Sequence, residues 1–173
     1  IITGVTTLIH SPSEYQGAYV FIAMLFYAFE LYCDFTGGID ITIGIAEVMG
    51  IRVTENFNLP YFSKNIAEYW RRWHISMGTW FRDYIFYPMS ISKRMGKLTK
   101  FCKTHFGKGV AKRVPVYLAT MVTWFATGIW HGASWNFILW GSLYGVLIII
   151  EKLVTTALTK AGKQDIFTKI PSI

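Results

Sequence analysis

One histidine stands in the longest uncharged part of this sequence. Residues 114–150 contain no Asp, Glu, Lys or Arg in 37 positions, and His131 is the strongly polar, titratable side chain among them. An ionisable side chain in such a stretch is costly, so it faces a cavity or a bundle interior and indicates a function. A neutral imidazole can take a proton from a hydroxyl group. The sequence alone therefore leaves two interpretations of His131 open, a general base or a histidine bound to a backbone carbonyl at a helix break.

A second histidine lies in a basic and aromatic segment. His74 follows two arginines and a tryptophan, residues 71–73, at the edge of an apolar stripe. Taken alone, this position is typical of a side chain that reaches a membrane interface. A metal site shared with His131 is not predicted, because no third ligand recurs at a suitable spacing. The two cysteines, Cys33 and Cys102, indicate neither a disulfide framework nor a metal site.

The elements that carry these histidines are predicted to be membrane helices. Hydrophobic residues make up 53% of the 173 residues and charged residues 16%, against roughly 25% charged in soluble domains. Residues 39–51 are too short to cross a bilayer, so they are predicted to form a re-entrant or packed helix after a break at 34–38. The sequence thus predicts an all-α, multi-pass transmembrane protein with one membrane domain over 1–173. Its membrane spans are predicted at about 15–33, 114–130 and 135–150.

A basic section lies between the first and second of these spans. Residues 52–113 hold thirteen basic and three acidic residues, a net charge of +10, whereas the rest of the chain carries −3. By the positive-inside rule this section faces the cytoplasm. Asn65 is predicted to begin an amphipathic helix with an apolar stripe over 66–84, either at the membrane interface or against the protein's own core. The eight Lys and Arg of 93–113 predict a solvated cytoplasmic loop that contacts anionic lipid, with a partner-protein site as the alternative.

Charge placement also excludes one class of protein. A soluble nucleic-acid binder would have no reason to confine its positive charge to one section between uncharged spans. The chain starts inside an apolar run, without a basic segment followed by a cleavage site. We therefore expect a fragment of a longer protein, without a signal peptide.

Four groups of residues follow one another along the chain. They are Tyr32-Cys33-Asp34-Phe35-Thr36-Gly37; Glu55-Asn56-Phe57-Asn58-Leu59-Pro60-Tyr61; Trp70-Arg71-Arg72-Trp73-His74-Ile75-Ser76 with Thr79-Trp80-Phe81-Arg82-Asp83-Tyr84; and Gly128-Ile129-Trp130-His131-Gly132-Ala133 with Trp135 and Trp140-Gly141. Together they resemble the membrane-bound O-acyltransferase (MBOAT) family over about residues 25–152. The resemblance is closest to its bacterial branch of alginate O-acetyltransferases and related cell-wall polysaccharide acetylases.

The resemblance implies a multi-helix enzyme of the bacterial inner membrane with a tunnel through the bilayer. In such enzymes the histidine that matches His131 is catalytic, and the one that matches His74 supports activity from the cytoplasmic side. No metal and no bound cofactor are expected. The residues expected to bind substrate are Asp34, Asn56, Arg71, Arg72, Trp73, Arg82 and Trp130.

The implied reaction moves an acyl group, expected to be acetyl, from a cytoplasmic thioester to hydroxyls of an exported polysaccharide or an intermediate carrier. The donor is acyl-CoA or an acyl carrier protein. Expected partners are the polysaccharide or a periplasmic acetyltransferase, and membrane lipid, but no nucleic acid. Two alternatives stay open: D-alanyl transfer to teichoic acid, and a non-enzymatic transport or scaffold subunit of a polysaccharide-export complex. After Tyr87-Pro88, a short glycine-rich stretch of the alginate branch is replaced by Met89-Ser90-Ile91-Ser92 and the long basic segment to Arg113, which leaves the donor or partner open.

Overall fold

The computed structural model describes residues 2–11 and 13–162, and every regular element among these residues is helical. For this part of the chain, the predicted all-α class is confirmed. The chain divides into two compact units, residues 1–56 and 57–173, which are described separately. One membrane domain over the whole chain stays a prediction. The sequence also predicts a polar tail from Lys160 onward, and most of it lies outside the described residues.

Among its described residues, the first unit contains two helices, α1 (Ile2–His10) and α2 (Ala18–Val48), followed by a segment without regular secondary structure up to Asn56. The predicted break at 34–38 is wrong, because α2 runs through it without interruption, and 39–51 is not a separate short helix. Inside the helix, Thr36 Oγ1 donates to the carbonyl of Tyr32 at 2.6 Å. A helical glycine costs only about 1 kcal/mol relative to alanine, so the two glycines that follow do not end a long apolar helix.

The second unit begins with a 3₁₀ turn and continues through five helices. Asn65 starts the first of them as predicted, since its Oδ1 accepts the N–H of Glu68 at 2.7 Å. A π-helical turn (Arg82–Phe86) joins α4 to α5. The elements in chain order are the 3₁₀ turn (Pro60–Phe62), α3 (Ile66–Arg72), α4 (Ile75–Phe81), α5 (Tyr87–Ser90), α6 (Lys93–His131) and α7 (Trp135–Lys160).

The predicted single amphipathic helix over 66–84 is wrong. Helix α3 stops at Arg72, because Trp73 is extended (φ −100°, ψ 124°) and His74 adopts the left-handed conformation (φ 48°, ψ 56°). A new helix then starts in another direction. Part of the predicted stripe packs on the protein's own aromatic rings, while Trp80 and Tyr84 remain exposed.

The predicted solvated loop at 93–113 is also wrong, because these residues form the first half of α6. Ser92 begins the helix, since its Oγ accepts the N–H of Met95 at 3.2 Å, and the lysines that follow are good helix formers. Only Gly107 is non-helical (φ 85°, ψ 173°), and it divides α6 into two halves. The second half contains the predicted span and ends at His131, where the sequence places the turn.

Within the described part of the chain, two helices, α2 and α7, are long and apolar enough to cross a membrane. Helix α7 contains the third predicted span, and α2 contains the first predicted span from residue 18 onward. Helix α7 extends to Lys160 rather than ending at 150. The second half of α6 is helical but is not one of these two, so its crossing stays a prediction.

Helices α6 and α7 approach each other so closely that their backbones touch. A Cβ atom at Gly141 would lie 2.5 Å from the carbonyl oxygen of Trp124 and 2.9 Å from Cα of Gly128. A Cβ atom at Gly128 would lie 2.6 Å from the carbonyl oxygen of Phe137. Only glycine allows this contact, which places the end of α6 beside the start of α7.

Changing Gly141 to alanine is expected to lower the free energy of unfolding by about 1–3 kcal/mol, since backbone atoms of α6 must shift. Gly96→Ala in α6 is the matched control, because nothing lies within 4 Å of its Cβ position. This control is expected to be neutral or to stabilise by up to about 1 kcal/mol. Thermal unfolding of the full-length protein in detergent measures both. Equal unfolding temperatures for the two variants would contradict the close contact.

Candidate active site

His131 is the last residue of α6, at the turn into α7. Its ring lies between two tryptophans, with centroids 4.8 Å from those of both Trp130 and Trp140, and it stacks on Phe137 at 6.2 Å. A side chain at Gly132 would collide with the Phe137 ring, 2.7 Å from the Cβ position, so glycine at the turn permits this stacking. His131 nevertheless remains exposed. The imidazole is therefore oriented by aromatic rings and still open to a substrate.

His74, between α3 and α4, packs against the same tryptophan as His131. The ring centroids of His74 and Trp130 are 6.3 Å apart, and Phe57 stacks on His74 at 6.3 Å. Burial and, secondly, the nearby His131 lower the pKa of His74 below its usual value. His74 is therefore neutral at pH 7. The two predicted catalytic histidines, 57 positions apart in the sequence, share one tryptophan.

The backbone at His74 explains how these side chains reach their places. The left-handed conformation is uncommon for a residue other than glycine and costs about 1–2 kcal/mol. It follows the extended Trp73, whose buried ring packs on Phe57 at 5.0 Å and stacks on Tyr69 at 5.7 Å. These contacts hold the chain in the strained turn. The turn directs Trp73 into the aromatic cluster and His74 towards Trp130.

A second aromatic cluster joins α3 to α6 and α7. The ring of Trp70 makes edge contacts with Trp124 at 4.8 Å, Tyr144 at 4.9 Å and Trp140 at 5.7 Å. Such pairs contribute about 0.5–1.5 kcal/mol each beyond the area they bury. Because Trp140 is also the ring against His131, the cluster connects α3 directly to the surroundings of that histidine.

The three arginines predicted to bind substrate have two kinds of environment. Arg72 forms an ion pair with Glu68 at 2.7 Å, and its Nη1 donates to the carbonyl of Asn58 at 3.4 Å. Arg71 and Arg82 line a cavity, and Arg82 also forms an ion pair with Asp83, with its Nε 2.8 Å from Oδ1. The geometry therefore gives Arg72 a role in holding α3 to the preceding segment, and places Arg71 and the Asp83-paired Arg82 at the cavity.

The cavity has a volume of about 540 Å³ and lies between α3, α4 and the second half of α6. A neighbouring cavity of about 380 Å³ shares Met77 and Phe81 with it and reaches Trp130. Together the two cavities extend from the arginines to the tryptophan that both histidines contact. The aromatic, basic and hydroxyl-bearing residues that line the larger cavity include Trp70, Arg71, Trp73, Phe81, Arg82, Thr120, Thr123, Trp124 and Thr127.

The other two predicted substrate-binding residues, Asp34 and Asn56, belong to the first unit. Asp34 has an exposed side chain on α2, and Asn56 is only 6% exposed. Their contacts with substrate stay predictions. Within residues 2–11 and 13–162, no group of three or more His, Cys, Asp or Glu side chains could hold a metal ion.

Sequence reasoning missed the rings that orient the histidines, namely Phe57, Phe137 and Trp140. One usable signal was the spacing of Trp140 and Tyr144, since residues four apart lie on the same face of a helix. Phe57 gave no such signal, because it precedes α3 in a segment without regular secondary structure and contacts His74 only because of the turn at Trp73.

Comparison with known proteins shows that this sequence is similar to those of enzymes. The protein-family model described as MBOAT, membrane-bound O-acyltransferase family, matches residues 7–172. An alginate O-acetylase AlgI from Azotobacter vinelandii is 40% identical over 131 residues, 76% of this chain and 23% of the relative. A peptidoglycan O-acetyltransferase from Helicobacter pylori is 34% identical over 136 residues, 79% of this chain and 23% of the relative.

The name of a third relative refers to a D-alanyl group instead of an acetyl group. A teichoic acid D-alanyltransferase from Bacillus subtilis is 34% identical over 122 residues, 70% of this chain and 28% of the relative. The chain thus spans about a quarter of the length of the curated relatives it matches.

Proposed function

Because the chain belongs to the membrane-bound O-acyltransferase family, we propose that the full-length protein transfers an acyl group from a thioester to a hydroxyl group. The observation that carries the proposal is the placement of His131 and His74 against one tryptophan, Trp130, which lines the smaller of two neighbouring cavities. This arrangement offers a proton acceptor, a second neutral imidazole and space for a bound donor.

In the proposed reaction His131 takes the proton of the acceptor hydroxyl. The oxygen attacks the thioester carbonyl, a C–O bond forms, and the tetrahedral intermediate breaks its C–S bond. The thiolate leaves and takes the proton back from His131, so the products are an ester and a free thiol. The neutral His74 supports this step by holding Trp130, and through it the orientation of the His131 ring.

We assign the acyl group as acetyl and the acceptor as a hydroxyl of an exported polysaccharide or an intermediate carrier. Support comes from the names of the relatives, since those called alginate O-acetylase reach 40% identity whereas those called D-alanyltransferase reach 34%. D-alanyl transfer to teichoic acid is the second candidate, because relatives of that name match the same part of the chain.

The donor is proposed to be an anionic thioester, acyl-CoA or an acyl carrier protein. Its chain would occupy the apolar part of the larger cavity, and its phosphates would bind Arg71 and Arg82. Thr127 of that cavity lies four residues before His131 along α6, a rise of about 6 Å. A donor held there can extend its carbonyl towards the histidine.

We further propose a multi-pass protein of the bacterial inner membrane with residues 52–113 on the cytoplasmic side. The family is membrane-bound, and α2 and α7 are long and apolar enough to span. The net charge of +10 in this section supports its cytoplasmic placement. The first half of α6 would contact anionic lipid, and a periplasmic acetyltransferase would be a partner beyond the membrane.

The proposed function is tested with the purified full-length protein in lipid nanodiscs. Acetyl-CoA and a D-alanyl thioester are offered separately with a soluble glycan, and ester formation and thiol release are measured. We expect acetyl ester with one thiol released for each ester formed. Alanyl ester alone would favour the second candidate, and no ester with either donor would favour a non-enzymatic transport subunit.

Replacing Arg71 by glutamine is expected to raise the KM for acetyl-CoA about tenfold with little change in kcat, because a charge-assisted hydrogen bond to phosphate is lost. Lys97→Gln is the matched control, since it removes the same charge from an exposed position that does not line the cavity. This control is expected to change the KM by less than about twofold. An equal rise in both variants would show steering by net charge and contradict phosphate binding at Arg71.

A further inference from the structure

A carboxylate in the apolar helix α7 has its partner in α3. Glu151 Oε2 accepts the backbone N–H of Ala67 at 3.1 Å, although the two residues are 84 positions apart. Ala67 lies in the first turn of α3, where backbone N–H groups have no acceptor within the helix. An acidic side chain in an apolar helix is costly without such a donor. The bond therefore accounts for the position of Glu151.

This hydrogen bond is one of two described attachments of α3 to α7. The other is the ring of Trp70, which packs edge-on against Tyr144 at 4.9 Å and Trp140 at 5.7 Å. Ala67 and Trp70 are three residues apart, about 4.5 Å along the helix axis. Trp70 also contacts Trp124 of α6, and Arg72 holds the end of α3 to Asn58, so the bond from Ala67 to Glu151 adds an attachment at the start of the helix and restricts its direction further.

The direction of α3 determines where His74 lies. The chain leaves α3 at Arg72 and reaches His74 two residues later, at the strained turn. Helix α7 holds Trp140 against His131 at the same time as it holds the start of α3 through Glu151. Helix α7 thus contacts His131 directly through Trp140, and it holds the helix that leads to His74 through Glu151.

We propose that Glu151 is a positioning residue for the acyl-transfer site. Through the N–H of Ala67 it sets the direction of α3 and so keeps His74 against Trp130. Glu151 touches neither substrate nor the reacting atoms. This role rests on the proposed function and adds a residue far from the histidines in the sequence.

Three variants of the full-length protein test this role. Glu151→Ala removes the acceptor, Glu151→Gln keeps an oxygen that can accept from Ala67, and Lys152→Ala changes the exposed neighbour. We expect kcat to fall about tenfold in Glu151→Ala, because a small misplacement of a catalytic group slows the reaction strongly. The other two variants are expected to stay within about twofold of wild type. A glutamine variant as slow as the alanine variant would overturn the role of the hydrogen bond.

A double variant separates positioning from general loss of structure. If Glu151 acts through His74, Glu151→Ala costs less than about twofold in a His74→Asn background, although it costs about tenfold in wild type. A tenfold loss in both backgrounds would overturn the proposal. Failure of the proposed function gives a different result. In that case His131→Ala would form ester at the same rate as wild type, whatever residue occupies position 151.

Discussion

Replacing His131 by alanine is expected to lower the rate of acyl transfer by about 10²–10⁴-fold, the usual contribution of a general base. His131→Gln is expected to be equally slow, because an amide forms hydrogen bonds but cannot take the hydroxyl proton. The His131 side chain is exposed at the end of α6, so both variants are expected to fold. Initial rates of ester formation by the full-length protein, at matched concentrations, measure the loss.

His105→Ala is the matched control for this prediction. His105 lies on the exposed first half of α6, with its Nδ1 3.0 Å from the carbonyl oxygen of Phe101. Its rate is expected to stay within about twofold of wild type. A glutamine variant at position 131 that kept the wild-type rate would remove proton transfer from the mechanism and favour the transport-subunit alternative.

Changing His74 to asparagine is expected to lower kcat about tenfold without unfolding the protein. Asparagine tolerates the left-handed conformation that this position requires, whereas the imidazole ring that packs on Trp130 is lost. His74→Ala should show the same loss of rate and also about 1 kcal/mol lower stability, because alanine disfavours that conformation. Steady-state kinetics and thermal unfolding in detergent separate the two effects. Wild-type kcat in His74→Asn would contradict a supporting role.

The pH dependence of stability gives a further check on His74. Burial, followed by His131, lowers the pKa of His74 in the folded protein, so the unfolded state binds the proton more readily. Its contribution is complete above the unfolded pKa of about 6.5 and is lost as the pH falls below that value. We expect the unfolding temperature to fall between pH 7 and pH 5.5, and to fall less in His74→Asn. Equal falls in the two proteins would contradict burial of this imidazole.

The sequence predicted the turn at His131 and the start of α3 because both depend on local signals. A glycine after the histidine and a serine before Trp135 mark the end of one helix and the start of the next. Asn65 with Glu68 three residues later is a local capping pattern, and the structure contains that hydrogen bond. The two histidines also stood out by residue type and by the charge of their surroundings.

Local sequence signals gave wrong predictions where tertiary packing or helix length determines the secondary structure. Two adjacent glycines suggested a break in α2, but the apolar helix continues through them. The basic residues of 93–113 suggested a loop, although lysine favours helices and only Gly107 departs from helical geometry. The turn at Trp73 has no local signal, because the aromatic rings that bury Trp73 come from Phe57, Tyr61 and Tyr69.

Contacts between residues that are far apart in the chain could not be predicted from the sequence either. The third predicted span ends at residue 150, whereas α7 continues past it and Glu151, the next residue, binds α3. The aromatic residues around His131 can be read from the sequence. The sequence does not predict how α6 and α7 cross, and it is this crossing that brings Trp140 to the histidine. That crossing follows from the backbone contact at Gly128 and Gly141.

Ester-linked acyl groups on envelope polysaccharide provide the most direct measurement. Cells that carry the full-length protein as wild type or as His131→Ala, with matched amounts in the membrane, are compared after mild alkaline release of the esters. Acyl transfer centred on His131 predicts that the released acetate falls to the level of cells without the protein. Unchanged acetate and unchanged D-alanine in the variant would contradict catalysis by this histidine.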